Sequence, residues 1–339
     1  MAKNKKIKIC VIGCGKISNK HFEAINNLKN YFILVGVCDV NLKNLNKVKK
    51  LFDIKIYSDY LEMIKELKPD IVTLATPNGL HFKQTISISK TKTHIISEKP
   101  LALNLKQANK MIQTCKKYNV NLFVVLQLRF NKNLIMIKEF LDKKKLGKIY
   151  FGNMNIFWTR PQMYYDSDIW RGSKKMDGGT FLNQAIHYID LLSWFFGKVK
   201  SLSSYSGRFA RKIDFEDTGA IIFYFKSKII ATLNLSMLTY KKSYETSLTL
   251  IGSRGTLKVS GKDLSKIEYL DYLGKKTPKK SLIKKPMNNT SNHEEFYRNI
   301  AFALMGKKNS AIFAKDSLES LKIIDAMHIS KKKKKNINL

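Results

Sequence analysis

The chain near its N-terminus reads Ile7-Lys8-Ile9-Cys10-Val11-Ile12-Gly13-Cys14-Gly15-Lys16-Ile17-Ser18. The first six residues form a short apolar run with β-branched side chains, which is typical of a buried strand. Gly13 permits a tight turn after that strand, and Gly15 lets a ligand approach the backbone. A helix is expected from about residue 19, and its first N–H groups would face the same turn. The pattern predicts a strand, a phosphate-binding turn and a helix.

Asp39 follows a second predicted strand, Phe32–Cys38, downstream of this turn. A carboxylate at that position accepts a hydrogen bond from a ribose 2′-OH and repels a 2′-phosphate. The other interpretation of Asp39 is a loop or helix-capping residue. Combined with the glycine turn, Asp39 favours NAD over NADP as the cofactor.

Strands and helices alternate through the first 126 residues. Further strands are expected at 71–75, 94–97 and 121–126, with helices from residues 79 and 104. Such alternation predicts a parallel sheet with helices on both faces. We therefore expect a doubly wound, Rossmann-type α/β domain over residues 1–126.

After residue 126 the strand-like runs follow one another with short turns. They lie at 150–158, 199–208, 218–225, 229–237, 246–251 and 256–259. This pattern predicts an α+β domain over 127–330 with a large, mostly antiparallel open sheet. Residues 262–292 are expected to be a loop, and two helices are expected at 293–305 and 315–329. The Lys-rich tail, residues 331–339, is expected to be a solvated, frayed end.

Residues 180–196 predict one apolar helix that ends at Gly197 and covers a face of that sheet. At 3.6 residues per turn its polar residues share one stripe, and they are Thr180, Asn183, His187, Asp190 and Trp194. An apolar helix is usually buried, so a polar stripe on it must be satisfied internally or line a cleft. The alternative for His187 is a buried histidine bonded to a neighbouring carbonyl.

The composition limits the classes of partner. The formal net charge of +36 first suggests nucleic acid, but only seven of the 62 basic residues are Arg, and the Lys residues are spread along the chain. We therefore expect no specific nucleic-acid binding. No apolar run reaches the roughly 18 residues needed to span a bilayer, and no signal peptide is recognisable. The four cysteines form no CxxC pair, which favours a reduced, cytoplasmic protein.

Two further motifs stand where predicted strands end, Ala75-Thr76-Pro77-Asn78 and Ser97-Glu98-Lys99-Pro100. Loops at the carboxyl ends of parallel strands surround the ligand crevice of such a sheet. Lys99, fixed beside a proline, is well placed to contact both substrate and nicotinamide. In a chain this rich in lysine, the alternative is an exposed turn residue.

The order of these motifs, followed by Gly178-Gly179 and His187-x-x-Asp190, resembles the Gfo/Idh/MocA oxidoreductase family over nearly the whole chain. One subgroup of that family is especially similar, namely the enzymes that use NAD to oxidise the C3 hydroxyl of UDP-N-acetyl-2-amino-2-deoxyglucuronate (UDP-GlcNAcA) for surface polysaccharides such as lipopolysaccharide O-antigen. The segments that carry this similarity are 158–161, 164–165, 170–172, 181–188, 216–219 and 237–240. The resemblance implies a nucleotide-sugar 3-dehydrogenase that forms a homo-oligomer, commonly a tetramer, through the C-terminal sheet.

Asn183 departs from the general family pattern, in which many members carry an aspartate four residues before the active-site histidine. An amide is no base, so proton removal falls to His187 or Lys99, with His187 favoured because the unperturbed pKa of histidine is about 6.5. Asn183 would then help to fix the sugar.

The predicted site has three sets of residues and no metal. The catalytic residues are Lys99 and His187. The cofactor contacts are Gly13, Gly15, Lys16, Ile17, Asp39, Thr76, Pro77, Asn78, His81, Glu98, Lys99, Gln127, Trp170 and Arg171. The substrate contacts are Lys99, Arg160, Tyr164, Tyr165, Arg171, Asn183, Gln184, His187 and Tyr240. For any one of the aromatic residues, packing of a loop against the sheet is the alternative.

Two other functions stay open at this point. One is a dehydrogenase of the same family that acts on a free sugar, an inositol or a sugar acid. The other is a non-catalytic NAD-binding protein, which the pairing of Lys99 with His187 disfavours because a pure binder needs neither.

Overall fold

The protein divides into two compact units in a computed structural model that describes residues 6–273, 275–276 and 289–339. The first unit contains the described parts of 1–127 and 288–318, and the second those of 128–287 and 319–339. The expected domain of 127–330 would have placed residues 289–318 in the second unit. Their contacts place them with the first unit instead.

The first unit begins with alternating strands and helices. They are β1 Ile7–Ile12, α1 Ser18–Asn27, β2 Phe32–Cys38, α2 Leu42–Leu51, β3 Lys55–Tyr57, α3 Tyr60–Leu67, β4 Ile71–Leu74, α4 His81–Ser89, β5 His94–Ser97, α5 Leu105–Lys117 and β6 Leu122–Val124. The six strands form one parallel sheet in the order β3-β2-β1-β4-β5-β6. The strand order reverses between β1 and β4, so the predicted doubly wound sheet is confirmed.

The second unit continues with a helix, a long strand and a group of helices before most of its strands. These elements are α6 Lys132–Asp142, β7 Ile149–Phe157, α7 Gln162–Asp166, α8 Thr180–Asn183, α9 Ile186–Phe196, β8 Val199–Gly207, β9 Thr218–Phe225, β10 Ile230–Ser236, β11 Glu245–Gly252, β12 Gly255–Ser260, β13 Lys266–Tyr272 and β14 Lys275–Lys276. The chain then returns to the first unit with α10 Asn289–Leu304 and ends in the second unit with α11 Leu318–Lys333 and β15 Ile337–Asn338.

The strands of the second unit form one sheet in the order β14-β13-β12-β11-β7-β10-β9-β8-β15. The pair β7 and β10 is parallel, and the other pairs are antiparallel. The predicted large, mostly antiparallel sheet is therefore confirmed. On one face of it the ring of Phe196, at the end of α9, meets Phe225 edge-on at 5.3 Å between centroids. The helix thus covers that face, as expected.

Three local predictions need correction. The loop expected over 262–292 contains strand β13 and the first residues of α10, while residues 274 and 277–288 lie outside the described residues. The frayed tail expected from residue 331 continues α11 to Lys333 and then pairs as β15 with β8, because Ile337 lies opposite Leu202. The edge of a sheet offers unpaired backbone groups, so even a polar, Lys-rich end can be ordered by pairing with it.

The helix expected over 180–196 is broken into α8 and α9. The carbonyl of Thr180 accepts hydrogen bonds from both Gln184 (2.8 Å) and Ala185 (3.3 Å), and the wide turn that results ends the first helix. Asn183 therefore ends α8 whereas His187 lies in the first turn of α9. The second helix ends as predicted before Gly197, which has a φ of 85°.

Among the described residues, no helix combines the length and the apolar character that crossing a membrane requires. All four cysteines are buried, and none is paired with another. Burial, as the largest cause, raises the pKa of each of their thiols to about 12.

Candidate functional site

The glycine turn after β1 has the two properties that a dinucleotide requires. A Cβ atom on Gly13 (φ 93°) would lie 2.6 Å from the carbonyl oxygen of Ala75, so only glycine fits this close approach to β4. A Cβ on Gly15 would meet nothing within 4 Å. The turn is therefore tight on its protein side and open at Gly15, where Lys16 and Ile17 are also exposed. The helix α1 begins directly behind it, so its first N–H groups are placed to receive a pyrophosphate.

Asp39 follows β2 and contacts the same turn. One carboxylate oxygen accepts from the backbone N–H of Cys14 at 2.6 Å, and the other accepts from the N–H of Asn41 at 2.8 Å. The half-buried carboxylate is thus held beside the glycines at the carboxyl edge of the sheet. These residues fit the adenosine and diphosphate parts of NAD.

The turn after β4 lies next along the same edge. Thr76 and Pro77 are half-buried, and the Thr76 hydroxyl donates to Gln84 at 2.6 Å. Asn78 is 5% exposed. Gln127 is half-buried and follows the last strand, β6, at this edge. The parallel sheet therefore brings together the turns that the sequence predicted as cofactor contacts.

His81, predicted as a cofactor contact, is fully buried instead. Its two ring nitrogens lie 2.8 Å from the Pro100 carbonyl and 3.0 Å from the Thr76 carbonyl. Burial lowers the pKa of His81, against the opposing effect of these two carbonyls. We assign His81 to holding the turns after β4 and β5 together, which a sequence motif could not distinguish from a ligand contact.

Glu98 and Lys99 directly follow β5 and differ in exposure. Lys99 is half-buried and the peptide bond to Pro100 is cis. Glu98 is 5% exposed, and its carboxylate accepts from the backbone N–H of Lys99 at 3.0 Å. The side chain of Glu98 is thus turned into the unit and fixes the backbone of the turn, while its contact with the cofactor stays a prediction.

In the second unit, the segment before α9 is fixed by a buried carboxylate. Asp177 (1% exposed) accepts from the Gly172 N–H at 2.9 Å and from the Asn183 amide at 2.5 Å. Gly178 and Gly179 follow with φ values of 93° and 135°, which favour glycine. Asn183 is therefore oriented by Asp177, and His187 is half-buried one turn further on.

A hydrogen-bonded network joins four of the predicted substrate contacts. The hydroxyl of Tyr164 accepts from Arg171 at 2.8 Å and from Gln184 at 3.0 Å. Gln184 in turn accepts from Arg160 at 3.4 Å. The guanidinium of Arg171 lies 4.6 Å from the ring centre of Tyr164 and 4.5 Å from that of Trp170. Long cationic side chains are thus held in fixed positions by aromatic faces.

Two predicted substrate contacts lie elsewhere. Tyr165 is 4% exposed and packs with Ile213 and Phe215, so it is a core residue. Burial, as the largest cause, raises the pKa of its hydroxyl. Tyr240 is 85% exposed on a loop after β10. Neither tyrosine belongs to the network above.

The sequence analysis missed a cationic pocket beside this network. The pocket has a volume of about 590 Å³, and its charged lining is Arg171, Arg208, Arg211, Lys212 and Asp214. Arg208 donates to the Ile213 carbonyl and Arg211 to the Arg160 carbonyl, both at 2.6 Å. Four of the seven arginines of the chain, at positions 160, 171, 208 and 211, lie in this region. Their concentration in a Lys-biased chain was the signal that could have found the pocket.

The loop that carries Arg208 and Arg211 is organised by one buried carboxylate. Asp217 is 0% exposed and accepts from the backbone N–H groups of residues 209, 210 and 211 at 2.9–3.1 Å. Since this carboxylate is engaged by backbone donors, it orders the loop without forming an ion pair with Arg208 or Arg211. Among the described residues, no His, Cys, Asp and Glu side chains form a group suited to a metal ion.

Models of two protein families match the chain. One, described as an oxidoreductase family with an NAD-binding Rossmann fold, matches residues 7–126, and the GFO/IDH/MocA C-terminal domain matches residues 134–258. The fold and the glycine turn define an NAD-dependent oxidoreductase. The chain belongs to the Gfo/Idh/MocA family.

Solved structures and curated proteins give three informative relatives. The WlbA dehydrogenase of Bordetella pertussis, solved with NADH and UDP-GlcNAcA, is 34% identical, with a TM-score of 0.91 and 99% of both chains covered. The WlbA dehydrogenase of Chromobacterium violaceum, solved with the same two ligands, is also 34% identical, with a TM-score of 0.91. The match covers 99% of this chain and 96% of that chain. The myo-inositol 2-dehydrogenase of Thermotoga maritima is 28% identical over 259 residues, 74% of each chain. The family and NAD are thus confirmed, while the relatives differ in the substrates that they bind or act on.

Proposed function

We propose that this protein oxidises the C3 hydroxyl of UDP-GlcNAcA to the 3-oxo sugar, with NAD as hydride acceptor, for surface polysaccharide biosynthesis. The observation that carries this proposal is the cationic pocket beside the network of Tyr164. Three arginines and a lysine line the pocket against one carboxylate, which suits an anionic substrate and disfavours a neutral cyclitol. The likeness to two enzymes crystallised with UDP-GlcNAcA supports the same substrate.

Different residues are assigned to the different charged groups of the substrate. Guanidinium groups form forked hydrogen bonds to phosphate and carboxylate oxygens, so Arg208 and Arg211 are assigned to the diphosphate. Arg160 is then assigned to the carboxylate of the sugar. Arg171, whose Nε is paired with Asp168 at 2.8 Å, would contact the same carboxylate only through its remaining N–H groups. Asn183, held by Asp177, is assigned to a sugar hydroxyl or amide. A ligand of this size and charge would use most of the predicted substrate set.

The chemistry needs a base for the hydroxyl proton and an acceptor for the hydride. NAD, when bound, supplies the acceptor. We assign the proton to His187, since an imidazole titrates close to neutral pH. Lys99, as a cation, would stabilise the negative charge that develops on the oxygen. This division of roles leaves Asn183 with a purely orienting function.

Reduction of NAD with three compounds tests the substrate. UDP-GlcNAcA should support turnover, while UDP-N-acetylglucosamine, which lacks the carboxylate, and free myo-inositol should support little. The absorbance of NADH at saturating NAD measures the rates. Activity on inositol alone would overturn the nucleotide-sugar assignment and favour the other sugar dehydrogenases of the family. No activity on any sugar, with NAD bound, would favour a non-catalytic binding protein.

Replacement of Arg208 and Arg211 by glutamine should weaken substrate binding. A hydrogen bond to a charged group contributes about 1.5–3 kcal/mol, so each replacement should raise the KM for UDP-GlcNAcA about 10–100-fold while kcat changes little. Initial rates at varied substrate concentrations measure both constants. Arg254→Gln, an exposed arginine of the same unit, is the matched control. An unchanged KM in the double variant would remove the pocket from the substrate site.

We also propose that the open face of the second sheet joins copies of this chain into a homo-oligomer, a tetramer by the family resemblance. A row of apolar residues crosses four neighbouring strands on this face, because the pairing aligns Ile251, Phe151, Ile230 and Tyr224. Ile230 is 46% and Ile251 42% exposed, and such rows are typical of subunit contacts. Light scattering on the purified protein measures the mass, and a monomer would contradict this proposal. The use of NAD and the four unpaired cysteines support a cytoplasmic location.

A further inference from the structure

A chain of buried polar groups crosses the first unit and ends at the turn of Lys99. The hydroxyls of Thr73 and Tyr297 lie 2.9 Å apart, and the Tyr297 hydroxyl lies 2.8 Å from Nδ1 of His21. Nε2 of His21 lies 3.1 Å from one carboxylate oxygen of Glu98. The other carboxylate oxygen accepts from the backbone N–H of Lys99 at 3.0 Å. Four polar side chains thus connect strand β4 to the residue that follows Glu98.

This series of hydrogen-bonded side chains is shielded from solvent. Thr73, His21 and Tyr297 are each 0% exposed, and Glu98 is 5% exposed. A buried polar group destabilises the fold unless it is hydrogen-bonded. Each of these four side chains therefore depends on its neighbours in the series for its hydrogen bonds. The four side chains therefore form one connected network, and loss of one hydroxyl affects the groups beyond it.

The hydrogen bonds run in a consistent direction toward Glu98. With the His21 proton assigned to Nε2 from this network, Thr73 donates to Tyr297, Tyr297 donates to His21 and His21 donates to Glu98. A doubly protonated His21 would still donate to Glu98, with Tyr297 then donating to Thr73. In both cases the carboxylate of Glu98 is the final acceptor.

Glu98 stays ionised at this position. Burial raises the pKa of its carboxyl, but the hydrogen bond from His21 and the charge of Lys99 act in the opposite direction, and the pKa falls to about 2. Burial, as the largest cause, raises the pKa of Tyr297, which keeps its hydroxyl protonated. An ionised acceptor makes the bond to the Lys99 N–H a charge-assisted one, which is stronger and more directional than a neutral bond.

We propose that His21 and Tyr297 are positioning residues for Lys99, which they orient through the carboxylate of Glu98. The proposal rests on the function given above, in which Lys99 contacts the substrate. It also gives α10 a role, because Tyr297 lies on that helix, almost 200 residues after Lys99, and completes the cofactor-binding unit from the far end of the chain. None of these positions was singled out from the sequence except Glu98 and Lys99.

Steady-state kinetics of Tyr297→Phe and His21→Leu test the proposal. A displacement of about 1 Å at a reacting group costs up to about 10²-fold in rate, so kcat should fall about 10-fold in Tyr297→Phe and about 10²-fold in His21→Leu. The rates are divided by the number of NAD sites from a titration, so unfolded protein does not count. His21→Gln keeps a donor near Glu98 and should recover kcat to within about threefold of the unmodified protein, which a generally loosened fold would not do.

A double-mutant cycle with Lys99→Met separates positioning from any other effect. If Tyr297 acts through Lys99, then Tyr297→Phe should change kcat less than about twofold in the Lys99→Met background. An equal, 10-fold loss in both backgrounds would overturn the proposal. Tyr60→Phe is the matched control, since its hydroxyl also bonds a neighbour, Ser87 at 2.9 Å, but belongs to α3.

A measurement without turnover distinguishes this inference from the proposed function. Acetic anhydride labels lysine amines, and peptide mass spectrometry reports the rate at each one. His21→Leu should raise the labelling rate of Lys99 several-fold relative to other lysines, because its turn is released, and Tyr60→Phe should leave it unchanged. An unchanged rate at Lys99 would overturn the positioning role even if UDP-GlcNAcA is the substrate. A raised rate in a protein inactive on UDP-GlcNAcA would uphold the positioning and overturn the substrate.

Discussion

Replacement of His187 by asparagine should slow hydride transfer about 10²–10⁴-fold, the usual contribution of a general base. His187 is half-buried in the first turn of α9, and asparagine keeps a polar side chain there while it removes the basic nitrogen. Affinity for NAD should change little, because the glycine turn and Asp39 belong to the other unit. Single-turnover mixing of the NAD-loaded protein with UDP-GlcNAcA, followed by the absorbance of NADH, measures the step directly.

His94→Asn is the control for this experiment. His94 begins β5, at the end of that strand far from Lys99, and its Nδ1 accepts from the backbone N–H of Asn121 at 3.1 Å near the surface. The rate of hydride transfer in His94→Asn should stay within about twofold of that in the unmodified protein. If hydride transfer in His187→Asn were also unchanged, His187 would have no part in the reaction and Lys99 would be the remaining base.

Replacement of Asp190 by alanine should destabilise the second unit by about 3–5 kcal/mol, the usual cost of breaking a buried ion pair. Arg129 binds both oxygens of Asp190, with distances of 2.8 Å from Nε and 2.7 Å from Nη2. Asp190 is 2% exposed, so its removal would take both carboxylate contacts away from a guanidinium that is itself mostly buried. Trp158, Trp170 and Trp194 are the three tryptophans of the chain and all lie in this unit, so their fluorescence in urea reports its unfolding.

Two variants show whether the missing charge is the cause. Asp190→Leu combined with Arg129→Met replaces both ions by apolar groups and should recover most of the lost stability. Lys143→Ala removes a partner of the exposed pair with Glu139, 3.9 Å apart, and should cost less than about 1 kcal/mol. A loss below about 1 kcal/mol in Asp190→Ala would mean that the pair contributes little and that α9 is held by its apolar residues.

Local patterns predicted most of the strands that position the cofactor half of the site. Strands β1, β2 and β5 begin and end where their apolar runs do, because a buried parallel strand is apolar on both faces. The elements α2, β3 and α3 were missed, since residues 42–67 carry many lysines and few unbroken apolar runs. The helices α2 and α3 are amphipathic, so only one face of each packs against the rest of the unit.

The substrate half shows where pattern analysis fails. A 3.6-residue period placed Asn183 and His187 on one continuous stripe, but the wide turn at residues 184–185 separates them into two helices. The aromatic pair Tyr164 and Tyr165 looked equivalent in sequence, yet one carries the network and the other fills the core. The difference depends on which side of the segment meets Ile213, a contact that no local pattern encodes.

The order of motifs along the chain was enough to define a Rossmann-type sheet, NAD, the family and the two residues proposed for the chemistry. These depend on short-range features, namely glycines that only a tight turn requires, a carboxylate one strand further on and the alternation of strands and helices. Only the folded chain showed that Glu98 and His81 face inward, that Tyr297 returns from α10 to meet His21, and that Arg208 and Arg211 join Arg171 around a pocket. The contact between Tyr297 and His21 joins residues 276 positions apart, which only the packing of the folded chain brings together. Burial then decides whether a polar side chain binds a ligand or supports the residue that does.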